Sequence, residues 1–169
     1  MKKLVGLLLL VIIFIGCSKD DEKNEEVSFE GFYKLTAVEL LHPYDLNNDG
    51  MKSTNLLNEL SCYDQETLQF NADGTGQANN TSYPDIYHLG DQVYNVECIL
   101  ASKSWQFEFL KNESTISLNL PVFGNITGEL YDNKFSFEIP SGFYYTAYNN
   151  GVPFTVTFSG SVAHIYTRQ

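Results

Sequence analysis

The side chains of this chain that could do chemistry fall into a few groups. Asp45-Leu46-Asn47-Asn48-Asp49-Gly50 sets carboxylate and amide oxygens at alternate positions ahead of a glycine. That is the opening pattern of a calcium loop, where hard oxygen donors surround the ion and Gly permits the sharp turn. The bidentate Glu that closes such a loop should stand at position 56, but Leu56 is there and Glu59 comes three residues late. Two readings follow, a weak calcium site on Asp45, Asn47 and Asp49 or a plain loop of Asx turns. No other cofactor is expected. His42, His88 and His164 lie far apart without ligand spacing, and there is no Gly-x-Ser-x-Gly elbow, His-Glu-x-x-His or phosphate loop, so the chain reads as non-enzymatic. Tyr83, Tyr87, Tyr94, Tyr144, Tyr145 and Tyr148 gather in segments expected to be rich in loops, the densest being Gly142 to Gly151. Exposed tyrosines among Asn and Ser give a recognition surface its contact area at low entropy cost. The alternative is a long hairpin whose rings fold back on the domain.

Cysteine chemistry depends on the N-terminus. Lys2 and Lys3 precede an apolar run from Leu4 to Gly16 that stops at Cys17. At ~1.5 Å per helical residue it spans roughly 20 Å, short of the ~30 Å hydrocarbon core, so residues 1–16 read as a signal peptide and not a retained span. Phe14-Ile15-Gly16-Cys17 resembles a bacterial lipobox, which implies that Cys17 is lipidated and that the lipid carries the membrane contact. Residues 17–28, rich in Asp, Glu and Lys with no apolar residue until Val27, form a solvated tether. With Cys17 assigned to lipid, Cys62 and Cys98 remain as an even pair in an oxidising compartment, and a disulfide between them is expected.

Ten Lys and Arg against 21 Asp and Glu give a formal net charge of −11 in 169 residues. Nucleic acid is excluded as a partner, since phosphate binding needs clustered cations. Twelve Phe and 11 Tyr supply a core and exclude disorder. The oligomeric state is not legible.

From residue 29 the period is two. Trp105, Phe107 and Phe109 alternate with Gln106 and Glu108; Ile116, Leu118 and Leu120 with Ser117 and Asn119; Phe135, Phe137 and Ile139 with Ser136 and Glu138; Val152, Phe154, Val156 and Phe158 with Pro153, Thr155 and Thr157. Each is a half-buried strand, and Pro153 suits an edge. Strands are predicted near 31–41, 65–71, 75–80, 92–100, 103–110, 114–120, 124–131, 134–139, 151–158 and 161–167. Short turns such as Asp73-Gly74, Asp132-Asn133 and Ser159-Gly160 join neighbours as hairpins. One short helix is expected near 53–60, capped by Ser53 or Thr54. The fold class is therefore all-β, an antiparallel up-and-down barrel of about eight to ten strands over residues 29–169. Trp105, Phe107, Phe109, Leu118, Phe135, Phe137 and Phe154 are expected to face one interior space, and His164 shares the inward parity of Val162 and Tyr166.

Gly31-Phe32-Tyr33-Lys34-Leu35, Cys62, Glu66 through Thr75, Cys98 and Trp105 together resemble the lipocalin-like domain of Bacteroidota lipoproteins, and Lys19-Asp20-Asp21-Glu22 resembles the acidic export signal of that group. The resemblance implies a small closed barrel, anchored by lipid to the outer membrane and exposed at the cell surface. It carries no general activity. The leading expectation is a binding protein for a small apolar ligand held inside the barrel; the alternative is an accessory carbohydrate- or protein-binding module that works through the tyrosine loops.

Overall fold

The computed structural model describes residues 28–90, 93–140, 143–157 and 160–169. The signal peptide, Cys17 and the tether as far as residue 27 lie outside the described residues, as do Gly142, Phe158 and Ser159.

Among the described residues eleven strands follow in chain order: β1 (Gly31–Tyr44), β2 (Ser53–Asn55), β3 (Thr67–Phe70), β4 (Thr75–Gly90), β5 (Val93–Asn112), β6 (Thr115–Leu120), β7 (Gly124–Tyr131), β8 (Lys134–Pro140), β9 (Tyr144–Asn149), β10 (Val152–Thr157) and β11 (Ser161–Arg168). Eight of them close a ring in the order β1-β3-β4-β5-β6-β7-β8-β11, with β11 paired back to β1, every neighbour antiparallel. The fold is the all-β, up-and-down barrel that the alternation and short turns demand. Asp132 and Asn133 both take positive φ (43° and 57°) in the two-residue loop between β7 and β8, the geometry that matches strand twist.

Three local expectations change. The segment 53–60 is not a helix: it is the short strand β2 and a 3₁₀ turn at Leu56–Asn58, followed by a second at Ser61–Tyr63. Asn55, and not Ser53 or Thr54, caps the first turn, its Oδ1 accepting from the N–H of Leu57 at 3.1 Å and from that of Val38 at 3.2 Å. Leu56, Leu60, Cys62 and Tyr63 are all buried here, so this segment is held by tertiary burial across one end of the barrel. The strands expected at 75–80, 92–100 and 103–110 fuse into the long β4 and β5, because an irregularity at Thr81/Ser82, beside Asn80 at φ 51°, lets pairing continue past the barrel rim. Finally, β9 within the tyrosine segment was not expected, and it pairs with β10 as a hairpin inserted between β8 and β11.

Strand direction gives the barrel two unlike ends. Residue 28, the C-terminus and the short turns 71–74, 113–114 and 132–133 lie at one end; the 3₁₀ turns, the β4–β5 extension and the β9–β10 hairpin lie at the other.

Candidate functional site

The interior is filled by rings. Phe70 is fully buried and meets Tyr33, Phe107, Phe109 and Phe135 edge-on, at centroid distances of 5.4, 5.8, 5.2 and 5.4 Å. Phe135, Phe137, Tyr166 and His164 continue the stack, His164 lying parallel to Phe137 at 4.9 Å. Edge-to-face contact at these distances is close packing and leaves no ligand-sized space at that level. Two glycines admit the rings: a Cβ on Gly76 would lie 2.3 Å from the Phe107 ring and one on Gly128 2.5 Å from the Phe135 ring.

Of the seven residues expected to line a pocket, Phe107, Phe109, Leu118, Phe135 and Phe137 are buried in this packed interior. Trp105 and Phe154 are not, at 43% and 48% exposed. Trp105 keeps the expected parity, opposite the buried Ala78 of β4, but pairing of β5 with β6 ends at Phe109–Leu118, so Trp105 stands at the rim with no strand of the described residues on its other side. Phe154 belongs to β10, which is no part of the barrel wall. Gln106, Glu108, Asn119 and Glu138 face water as expected.

Buried polar groups interrupt the rings. Glu66 accepts a hydrogen bond from the hydroxyl of Tyr166 and, at 3.2 Å, from the N–H of Ser82; burial pushes its carboxyl up to about 7. His164 is inward, as its parity predicts, and burial lowers its pKa to about 4. No hydrogen-bond partner faces its Nδ1 among the described residues.

In the Asp45–Gly50 loop the candidate oxygens are already engaged. Asp45 accepts from the N–H groups of Asp49 (3.0 Å) and Gly50 (2.9 Å), Asn47 Oδ1 from Asp49 (3.0 Å), and Asp49 from Met51 (2.8 Å). Glu59 turns its buried carboxylate onto the N–H of Leu46 at 3.0 Å. These are Asx turns, and among the described residues no group of three His, Cys, Asp or Glu side chains converges for a metal. An external groove of about 760 Å3 is lined by Phe109, Leu110, Leu118 and Ile126 together with Glu108 and by hydroxyls and amides that bond one another, Ser117 with Thr127 and Asn119 with Asn125.

What remains is the lateral sheet, β10-β9-β4-β5, where β4 and β5 run beyond the barrel and β9 joins β4 in parallel through Tyr87 and Thr146. Cys62 and Cys98 form the expected disulfide, with Cα atoms 5.1 Å apart, and fasten this sheet to the 3₁₀ segment. Alternation sorts the six tyrosines onto opposite faces. On the inner face Tyr94 and Tyr145 pack with His88, centroids 5.2 to 5.8 Å apart. On the outer face stand Tyr83, Tyr144 and Tyr148, 41%, 60% and 53% exposed, with the half-buried Tyr87. The Tyr87–Thr146 register places Tyr144 level with position 85 and Tyr148 level with position 89. The outer rings therefore form a zigzag, Tyr83, Tyr144, Tyr87, Tyr148, in steps of two residues, about 6.6 Å each.

Polar groups flank the row. The Tyr87 hydroxyl donates to Asp85 at 2.6 Å, and this bond with the nearby carboxylate pushes its pKa up to about 12, Tyr148 adding a smaller push. Asn95 and Glu97 pair across from Tyr87 and Asp85. Residues 81–102 and 144–157 contain no Lys or Arg. Sequence reasoning found these tyrosines, but not that four share one face. Compared with protein-family models, with curated proteins and with solved structures, the chain matches nothing, and the site is read from its own geometry.

Proposed function

We propose that this protein is a non-enzymatic, surface-displayed lipoprotein of lipocalin-like build that binds an extended, uncharged glycan along the outer face of its lateral sheet. The zigzag of Tyr83, Tyr144, Tyr87 and Tyr148 carries the reading. Sugar rings present apolar C–H faces that stack on aromatic rings, and their hydroxyls need acceptors at the edge, which Asp85, Glu97 and Asn95 offer. A face without cations and with two carboxylates repels phosphate, sulfate and uronate, so the ligand is neutral. Regular steps over roughly 20 Å suit a chain and not a single small molecule.

The ring-packed interior argues against the apolar-ligand reading, because a fatty acid would have to displace Phe70 and its neighbours. Lipidation at Cys17 suits the barrel's polarity: residue 28 enters at the end opposite the lateral sheet, so a chain anchored through its tether would hold the tyrosines away from the membrane. Affinity electrophoresis in gels cast with soluble neutral polysaccharides (a β-glucan, an α-glucan, a xylan, a mannan) tests the reading. Wild-type protein is retarded by at least one of them, and Tyr87→Ala with Tyr144→Ala migrates freely; unretarded wild type in all four would sink it.

A further inference from the structure

β5 is covered on one edge only. β4 pairs with it from Val93 to Glu108, but β6 reaches the other edge only at Phe109–Asn112. Along Val96 to Gln106 no strand of the described residues lies against that edge. The aim of its main-chain groups follows from two contacts. The N–H of Phe109 donates to the carbonyl of Gly74 at 2.9 Å, on the β4 side. Tyr94 turns the other way: its carbonyl accepts from Asn48 Nδ2 at 2.8 Å and its N–H donates to Asn48 Oδ1 at 3.2 Å. Main-chain groups alternate along a strand, so on the Tyr94 side Val96, Cys98 and Leu100, and on the Phe109 side Ser102, Ser104 and Gln106, point N–H and C=O at the open edge; the two stretches meet at Ala101, the extra residue of β5 opposite the Thr81/Ser82 step. Asn48 closes the edge at Tyr94, and the rest is a template for strand addition. Side chains there are exposed or half-buried, Leu100 at 52%.

We propose that the occupant is a second copy of this chain, paired antiparallel through β5 about a two-fold axis at Leu100. The charges select this partner and this register. Centred on Leu100, the pairing sets Glu97 of each copy opposite Lys103 of the other, Cys98 opposite Ser102 and Leu100 against its own counterpart. Centred on Ile99, Glu97 would face Ala101 and Lys103 would face Asn95; centred on Ala101, Glu97 would face Trp105 and Lys103 would face Ile99. Lys103 is the one cation between Val93 and Leu110, and only the Leu100 register matches it, twice, with an acid. Opposite charges directly across an antiparallel pair stabilise it, and like charges destabilise it. The closed two-fold contact consumes the β5 edge of both copies, so pairing through β5 stops at the dimer, with β10 left as the outer strand at each end. The two lateral sheets become one, and the axis, perpendicular to the sheet, puts both tyrosine rows on the same side. The dimer stands whether or not those rows bind glycan.

Sedimentation velocity on the chain from residue 17 with Cys17→Ser, which removes the lipid as a cause of association, tests this from 1 to 200 μM. A concentration-dependent dimer is expected. Lys103→Glu should weaken it at least tenfold, Glu97→Lys should do the same, and the two together should restore it. Leu100→Cys should form a covalent dimer under mild oxidation, since a hydrogen-bonded antiparallel pair holds Cα atoms about 5.5 Å apart, within disulfide reach. A monomer throughout the range, or a dimer indifferent to the charge changes and not linked through position 100, would overturn the proposal.

Discussion

Tyr166 on β11 donates its hydroxyl hydrogen to the carboxyl of Glu66, a residue 100 positions earlier in the chain, and the same carboxyl accepts from the N–H of Ser82 on β4. Glu66 thereby joins β11 to β4 from inside the barrel, on the way into β3. Burial favours the neutral acid, which is why its pKa stands near 7, well above the usual carboxylate value of 4.5.

The sign of the resulting pH dependence follows from linkage. Between 4.5 and about 7 the folded protein holds a proton on Glu66 that the unfolded chain has lost, so this contribution is complete below 4.5 and is lost as pH rises through 7. Glu66→Gln mimics the neutral acid. Chemical denaturation at pH 5 and pH 8 should show wild type losing stability between them and the variant losing less, with a difference on the order of 1–3 kcal/mol.

His164 acts on the acid side. Its pKa falls from 6.5 to about 4 on burial, so its stabilising contribution is present above 6.5 and lost as pH falls through 4. His164→Phe keeps a ring against Phe137 and cannot take up a proton. Its acid-unfolding midpoint should lie lower than that of wild type, followed by circular dichroism from pH 7 to pH 3; an unmoved midpoint would remove His164 from the account.

Gly128 sets ring packing against backbone. A Cβ there would sit 2.5 Å from both the Phe135 ring and the carbonyl oxygen of Ser136, and the carbonyl cannot step aside. Gly128→Ala should lower unfolding free energy by about 1–3 kcal/mol. Gly50→Ala, where no atom lies within 4 Å but φ is +88°, isolates the backbone cost alone and should lose about 1 kcal/mol.

The Cys62–Cys98 bridge spans 36 residues and ties the 3₁₀ segment to β5. Replacing both cysteines with Ala should cost about 2–4 kcal/mol. Hydrogen exchange should quicken most in the β4–β5 extension, whose outer edge has no other covalent tie, and least in β8 and β11.

How much of this was legible in the sequence depends on the range of the forces involved. Alternation such as Phe135/Phe137 or Leu118/Leu120 is written locally, so the barrel, its order and most of its inward residues could be read. Trp105 obeyed the same alternation and still ended at the rim, because exposure depended on where β6 stopped, a fact carried by residues near 120. Phe154 failed for a similar reason: nothing in Val152–Thr157 says that its strand leaves the barrel. The helix expected at 53–60 lost to burial of Leu56 and Leu60, a tertiary effect. Tyrosine density around 144–148 was plain, but its division into an inner pair and an outer row of four rests on the single parallel contact of Tyr87 with Thr146, which no local pattern announces.

The measurement that bears most directly on the account is calorimetric titration of the retarding polysaccharide into wild type, into the variant with Tyr83, Tyr87, Tyr144 and Tyr148 all changed to Ala, and into Leu118→Trp. Each stacked ring contributes about 1 kcal/mol, so the fourfold variant should bind at least a hundredfold more weakly with its fold intact by circular dichroism, while the interior change leaves affinity within twofold. Equal binding by wild type and the fourfold variant would contradict the tyrosine face as the site. So would loss of binding in Leu118→Trp alone, which would return recognition to the barrel interior.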